Sequence, residues 1–251
     1  MSKTNLIIFH TIKKQKQSVV TILINKQAID EVKSVKYLGI LIDSQLTFKN
    51  HIDELSKKVS RATGVLYKLR PYVNTVILTR VYYAIVYPFL LYGIVVWGNA
   101  SKTLLEPIHI SQKKIVRMLT FNDNYPPIPG PLAHTPPLFH ELKMLKIYDI
   151  YKLQVSKFVF ESVNDLGPSQ SIIKFTSASE IHEHNTRFAT QGNFFINSIR
   201  TSRYGLKALK VEGSKVWDAI PANIRNKLTK KSFSASYKQH LIGSYLSGDN
   251  T

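Results

Sequence analysis

Short apolar runs separated by polar spacers fill the first 45 residues of the chain. Their richness in Val, Ile, Leu and aromatic residues is typical of β-strands, and the strongest are Leu6–Phe9, Val19–Ile24 and Val35–Ile42. We expect a turn at Asn25-Lys26 that leads into a short strand at Ala28–Val32. Gly39 lies inside the third run and suggests a bulge or a close backbone approach.

From Asn50 onward the apolar spacing changes to that of a helix. Steps of three and four residues form one apolar seam, made of Ile52, Leu55, Val59, Ala62, Leu66 and Leu69. Asn50 is the expected N-cap, with Asp53 and Glu54 in the first turn near the positive end of the helix dipole. Pro71 is expected to end this helix.

A second helix is predicted to start near Asn74 or Thr75 and to run into an uncharged stretch, Val81–Trp97. Seventeen residues is the lower limit for crossing a bilayer, so a membrane span is an alternative. Pro88 and Gly93 interrupt the stretch, which favours a buried core helix followed by a bend. No membrane partner is expected.

The rest of the chain has further helical patterns. A third helix is predicted from about Ser101 to Leu119, kinked or begun at Pro107. Six of the eleven prolines fall between Tyr125 and Pro137, which indicates a linker. Later helical stretches are a helix or kinked pair over Leu138–Val163, then Leu206–Trp217 and Ser232–Tyr245.

These patterns predict an α+β fold that is mostly α. A small antiparallel sheet at residues 1–45 would precede a helical thumb-like bundle at 46–121. A Pro-rich linker at 122–137 would then lead to a mainly helical C-terminal domain at 138–251.

The net charge of +18 and pI near 9.9 favour polyanionic partners, with nucleic acid first. Residues 1–120 carry 18 Lys or Arg against 6 Asp or Glu, so the denser positive surface should lie there. The alternative is a basic protein that is merely soluble. The absence of cysteine excludes disulfides, Cys-based zinc sites and a Cys nucleophile.

The residue types needed for phosphoryl transfer are missing from the pattern. Two catalytic metal ions about 4 Å apart need clustered carboxylates, yet none of the eight aspartates adjoins another. His182-Glu183-His184 could supply two metal ligands on a strand, but a third ligand is not evident and an exposed polar loop is the favoured alternative. We therefore expect no catalytic residue and no metal site in this chain.

An ordered series of motifs resembles the C-terminal region of a LINE-type, non-LTR retrotransposon reverse transcriptase, which comprises the end of the palm, the thumb and the post-thumb region. The series is Lys3-Thr4-Asn5-Leu6-Ile7-Ile8-Phe9, Val35-Lys36-Tyr37-Leu38-Gly39-Ile40, Leu46-Thr47-Phe48-Lys49-Asn50-His51-Ile52, Leu91-Tyr92-Gly93-Ile94-Val95-Val96-Trp97-Gly98, Ile115-Val116-Arg117-Met118-Leu119, His184-Asn185-Thr186-Arg187 and Lys215-Val216-Trp217-Asp218-Ala219-Ile220-Pro221. The resemblance implies that the catalytic Asp-Asp box would precede residue 1, and that Mg²⁺ would belong to that missing palm.

The resemblance also assigns roles to individual residues. Lys3 would be a remnant of a nucleotide-proximal position, and Lys36, Tyr37, Leu38 and Gly39 would form the primer grip. The Ile52–Leu69 helix would follow a template–primer duplex. Cations off the apolar seams would face phosphates; these are Lys57, Lys58, Arg61, Lys68 and Arg70, with Lys113, Lys114 and Arg117 on the third helix. The alternative is that these cations only solvate helix faces.

The function predicted from the sequence is nucleic-acid binding by a truncated reverse-transcriptase-derived protein, not an enzyme on its own. The partner would be RNA or DNA, in the form of an RNA–DNA hybrid or structured RNA, in the cytoplasm or nucleus. One alternative is the C-terminal part of an active RNA-directed DNA polymerase whose catalytic half is a separate polypeptide or is encoded upstream. The others are a non-functional decayed copy and a membrane-associated protein.

Overall fold

Two small β-hairpins form the N-terminal part of the fold. The computed structural model describes residues 4–10, 22–120, 134–166, 173–181, 193–196, 199, 201 and 205–246. Strands β1 (Leu23–Ile24) and β2 (Gln27–Ala28) pair antiparallel across Asn25 and Lys26, whose φ angles are 49° and 64°. The predicted turn is therefore confirmed. The prediction of a strand at Leu6–Phe9 is wrong, because this run contributes only a parallel bridge from Leu6 to Glu31.

The second hairpin corrects the prediction of one interrupted strand. Strands β3 (Ser34–Tyr37) and β4 (Ile40–Asp43) pair antiparallel with Ser34 opposite Asp43. The two residues between them, Leu38 and Gly39, have φ angles of 46° and 81°. Positive φ at both central residues is the geometry of a tight hairpin turn, so Gly39 ends the strand and no bulge forms.

Helix α1 (Lys49–Leu69) begins differently from the prediction. Its N-cap is Phe48, in the left-handed region, and neither Asn50 nor another side chain caps it. Instead the Asp43 carboxylate accepts hydrogen bonds from four donors: the backbone N–H groups of Gln45, Thr47 and Phe48 and the Thr47 hydroxyl. A charged acceptor at the end of β4 therefore orders the loop into α1. The predicted apolar seam is confirmed as the buried face.

The uncharged stretch Val81–Trp97 is divided among three helices. Helix α2 (Thr75–Ile85) starts as predicted, with the Asn74 side chain accepting from the Ile77 N–H at 3.0 Å. A 3₁₀ turn at Arg70–Tyr72 precedes it, and the short helices α3 (Tyr87–Leu91) and α4 (Ile94–Trp97) follow. A search of the described residues finds no helix with the length and apolarity that a membrane crossing requires.

The remaining described helices complete a mostly α fold. Helix α5 (Lys102–Thr120) includes Pro107, and the predicted pair is α6 (Thr135–Glu141) and α7 (Ile147–Val163). Four more follow: α8 (Ala178–Ile181), α9 (Leu209–Asp218), α10 (Ala222–Arg225) and α11 (Lys230–Gly243). The fold class predicted from the sequence is thus confirmed.

Helices α5 and α7 form the centre of the fold. Helix α5 packs on α1, α2, α6 and α7, whereas α7 packs on α3, α4, α9 and α11. The fully buried Gln112 side chain joins α5 to the start of α7 by accepting from the Ile147 N–H at 2.8 Å and donating to the Leu145 carbonyl. One hydrophobic core runs from Ile40 to Tyr245. The division into domains with a linker at 122–137 stays a prediction.

Some sequence predictions lie outside the described residues. These are Lys3, most of the Pro-rich segment, the motif His182-Glu183-His184 and the motif His184-Asn185-Thr186-Arg187.

Candidate nucleic-acid interface

Three cations share the solvent-facing side of α1. Lys57, Arg61 and Lys68 are spaced by four and seven residues, which places them on one side of an α-helix. All three are exposed, and the buried seam lies on the opposite side of the same helix. Among the described residues, none of the three forms an ion pair with a carboxylate. We call this set the outer stripe.

The middle of the outer stripe is open. Gly64 lies on the same side of α1, between Arg61 and Lys68, and a Cβ atom there would meet nothing within 4 Å. The stripe extends about 16 Å from Lys57 to Lys68 at the α-helical rise. A flat positive strip of this length can lie along several phosphates of one strand, because successive phosphates of a duplex strand rise by about 3.4 Å.

Two other predicted cations of the helix region are less available. Lys58 pairs with Glu54 at 2.7 Å, one helical turn earlier. This hydrogen bond is the main reason why the pKa of Glu54 is lowered, and the charges of Lys58 and Lys36 add to the effect. Arg70 lies half-buried in the 3₁₀ turn that follows α1 and makes contacts there.

Helix α5 packs against α1 and carries three further predicted cations, Lys113, Lys114 and Arg117. Lys114 and Arg117 are exposed, whereas Lys113 lies 3.6 Å from Glu106. The structure therefore places the two helices that carry these cations next to each other.

The residues assigned to the primer grip lie at the tip of the second hairpin. Lys36, Tyr37, Leu38 and Gly39 are all exposed, with Leu38 71% exposed. The Tyr92 hydroxyl donates to the Leu38 carbonyl at 2.5 Å, which holds the tip beside the start of α4. The tip thus presents apolar surface next to a backbone turn whose conformation is fixed.

His51 connects this hairpin to α1, a role that the sequence pattern did not reveal. Its Nδ1 accepts from the Leu41 N–H at 3.4 Å, and its ring packs edge-on against Trp97 at 5.6 Å between centroids. Burial lowers the pKa of His51, and the charge of Glu54 opposes that shift. A neutral imidazole therefore fixes the hairpin on the helix that carries the outer stripe.

Metal-binding clusters are absent from the part of the chain that the structure describes. No group of three or more His, Asp or Glu side chains there could hold a metal ion. The interface built from α1, α5 and the hairpin tip is a surface of cations and backbone rather than of clustered carboxylates.

Comparison with known proteins identifies the relatives of this chain. It is 31% identical over 102 residues to the RNA-directed DNA polymerase from mobile element jockey of Drosophila funebris, and 33% identical over 101 residues to the same-named protein of Drosophila melanogaster. Each match covers 39% of this chain. Its homologues are RNA-directed DNA polymerases of LINE-type mobile elements. The resemblance stated from the sequence motifs is confirmed.

A longer match extends the relationship along the chain. The probable RNA-directed DNA polymerase from transposon X-element of Drosophila melanogaster is 24% identical over 160 residues, or 62% of this chain. The matches cover only 11 to 16% of the length of these curated relatives. No protein-family model and no solved structure matches the chain.

Proposed function

We propose that the chain binds nucleic acid through phosphates, with a primer–template hybrid or structured RNA as the partner, and without a polymerase active site of its own. The observation that carries the proposal is the outer stripe. Three cations that pair with no carboxylate among the described residues lie opposite the core seam of a 21-residue helix. An exposed row of cations attracts a polyanion without reading its sequence, because phosphate contacts position a protein and base contacts specify.

Two further facts support this proposal. The net charge of +18 would draw any polyanion towards the protein. The relatives are RNA-directed DNA polymerases, and such an activity requires contact with RNA and DNA. Lys114 and Arg117 on α5 would extend the surface, and Lys36 to Gly39 at the hairpin tip would contact a strand end. A protein of this kind would act in the cytoplasm or nucleus, where its nucleic-acid partner is present.

The test is the salt dependence of binding to an RNA–DNA hybrid of about 20 base pairs. The triple variant Lys57→Ala, Arg61→Ala, Lys68→Ala is compared with the wild-type chain by fluorescence anisotropy between 50 and 300 mM salt. Each lost phosphate contact lowers the slope of log affinity against log salt by nearly one unit, so we expect a decrease of about two to three units. Affinity at low salt should decrease by about two orders of magnitude.

The control removes the same charge from another surface. Lys210, Lys227 and Lys231 are exposed on or beside α9 and α11, and their triple alanine variant should keep most of the affinity and slope. Equal losses in both triple variants would mean that only net charge matters, which contradicts the stripe. A wild-type chain with no measurable affinity at 50 mM salt contradicts the proposal altogether and favours a non-functional decayed copy.

A second candidate function is favoured by the comparisons. The chain would complete an RNA-directed DNA polymerase whose catalytic residues and Mg²⁺ lie outside it, because its relatives are such polymerases and it spans a small part of them. Primer extension with Mg²⁺ and nucleotides tests the feature that both candidates share, the lack of catalytic residues in this chain. We expect no extension by this chain alone; extension that survives repurification would contradict the lack of an active site.

A further inference from the structure

A cavity of about 630 Å³, lined by charged, aromatic and apolar side chains, lies between α5, α7, α9 and the end of α11. It is within the range of volumes that small-molecule sites have, 300 to 1,000 Å³. Its lining includes Lys113, which is also one of the predicted nucleic-acid contacts on α5. The cavity and the candidate interface therefore share Lys113.

The charges of the cavity leave two ammonium groups without carboxylate partners. Lys113 lies near Glu106, and Lys152 lies 3.4 Å from Asp149. Lys102 and Lys146 also line the cavity and form no ion pair with any carboxylate of the described residues. The Lys146 ammonium lies 4.1 Å from the centre of the Tyr245 ring. Burial lowers the pKa of Lys146, a direction that an anion beside it would reverse.

The same lining holds aromatic rings and two polar atoms without partners. The Tyr151 hydroxyl and His109 Nδ1 are buried and accept or donate no hydrogen bond among the described residues. Both side chains are more than nine-tenths buried. An unpaired buried polar atom costs about 1–3 kcal/mol, and proteins seldom keep one without a reason. The Tyr148 ring lies 5.3 Å from that of His109.

Gly98 makes room for this arrangement. A Cβ atom there would lie 2.6 Å from Cδ2 of Tyr151 and 2.5 Å from the Ile94 carbonyl oxygen. The close approach of the α4 end to α7 is thus what seats Tyr151 at the cavity, and only glycine permits it.

We propose that this cavity binds one unpaired nucleotide, in the free form or at the end of a bound strand. Binding of a strand end rests on the proposed function, whereas binding of a free nucleotide does not. Lys102 and Lys146 match a phosphate, the half-buried Tyr148 ring matches the face of a base, and the carboxylates of the lining match its donors. The unpaired polar atoms of His109 and Tyr151 lie buried in the wall of the cavity. An anion alone would leave the aromatic and acidic lining without partners.

The experiment titrates the full chain with AMP, UMP and inorganic phosphate by isothermal calorimetry and by NMR. We expect saturable binding of at least one nucleotide and at least tenfold weaker binding of phosphate. The double variant Lys102→Ala, Lys146→Ala should weaken nucleotide binding by about tenfold. The matched control Lys227→Ala, Lys231→Ala should leave it unchanged.

Failures of the two proposals are distinguishable. If the chain binds the hybrid but no nucleotide, the cavity proposal is overturned and the proposed function is retained. If inorganic phosphate binds as tightly as the nucleotides, the assignment of a nucleotide as the ligand is overturned. Nucleotide binding without hybrid binding contradicts the proposed function and keeps the cavity. The outer-stripe triple variant should retain full nucleotide affinity.

A conservative variant separates the role of Tyr151 in binding from a role in packing. Tyr151→Phe deletes only the unpaired hydroxyl, so the free protein should be as stable as the wild type or more stable. Nucleotide affinity should decrease several-fold at the same time. Unchanged affinity with changed stability would remove Tyr151 from the site.

Discussion

The outer stripe of α1 and the cavity beside α5 and α7 use the same residue type in opposite ways. In the stripe, Lys57, Arg61 and Lys68 stand exposed and unpaired in the described part of the chain. In the cavity, Lys113 and Lys152 are held beside carboxylates, and Lys146 is half-buried over a ring. Exposed charges are screened by salt within about 8–10 Å, whereas partly buried charges are screened much less.

The difference teaches what each region can recognise. A row of free cations suits a long polyanion and should be strongly sensitive to salt. A cavity with fixed pairs, rings and unpaired polar atoms suits a small ligand of defined shape. Net charge alone would predict the first region and would not reveal the second.

A glycine-to-alanine substitution in each region should give the largest difference in unfolding free energy between them. Gly98→Ala places a methyl group against the Ile94 carbonyl and the Tyr151 ring, so we expect a loss of about 2–3 kcal/mol in unfolding free energy. Gly64→Ala adds the same methyl group in open space within a helix, where alanine is favoured by about 0.5–1 kcal/mol. Urea unfolding measures both.

The two glycine variants should therefore shift stability in opposite directions. Gly98→Ala should also weaken nucleotide binding, because Tyr151 must move. A neutral Gly98→Ala would show that the close approach between α4 and α7 relaxes without cost, and the comparison between the regions would lose its packing basis.

The junction between the second hairpin and α1 carries the next effect. Asp43→Ala removes a carboxylate that accepts from four donors, and we expect a loss of about 2 kcal/mol by thermal or urea unfolding. Asp53→Ala is the control, because Asp53 is exposed on α1 and has no such role. The two losses should differ by more than 1 kcal/mol; equal losses would contradict the role of Asp43 in ordering the loop into α1.

The stability of the cavity region should depend on pH through His109. Burial lowers its pKa to about 4, with Lys113 and Lys146 adding to the shift and Glu106 opposing it. The unfolded chain, with the ordinary value of 6.5, takes up the proton first. Stability is therefore complete above pH 6.5 and decreases as the pH falls towards 4, by on the order of 2 kcal/mol between pH 7.5 and pH 5.

The variant His109→Leu should flatten this profile, measured as unfolding free energy at each pH. His134→Gln, which removes an exposed imidazole, is the control and should keep the slope. The lowered pKa of His51 acts in the same direction, so some slope should remain in His109→Leu. A wild-type profile that is flat from pH 7.5 to 5 would contradict the buried, neutral state of both histidines.

The sequence predicted features that depend on residues close together in the chain. The α1 seam, the start of α2 near Asn74 and the turn at Asn25-Lys26 follow from local spacing, and all three are confirmed. The Leu38-Gly39 turn was misread because continuous apolar residues on both sides resemble one strand. Gly39 was the available signal in the sequence, because glycine is favoured in two-residue hairpin turns.

The cavity could not be predicted, since it joins residues far apart in sequence. Lys102 on α5 and Tyr245 after α11 are 143 positions apart, and only tertiary packing places them together. The role of Asp43 was easier to predict from the sequence. An aspartate often forms a turn by accepting from backbone N–H groups two to five residues later. The roles of the individual cations on α1 and α5 stay predictions.

The smallest effect tests whether pairing with a carboxylate is what separates the two regions. Glu54→Gln frees Lys58, which lies one turn from Lys57 and beside the outer stripe. The exposed pair contributes about 0.3 kcal/mol, so stability should hardly change. Affinity for the hybrid should increase two- to threefold at low salt, because one repulsive charge is lost and one cation is released.

Glu161→Gln, which frees Lys230 on α11, makes the same charge change far from the stripe and should raise affinity less. Equal gains would mean that pairing at Lys58 has no local effect.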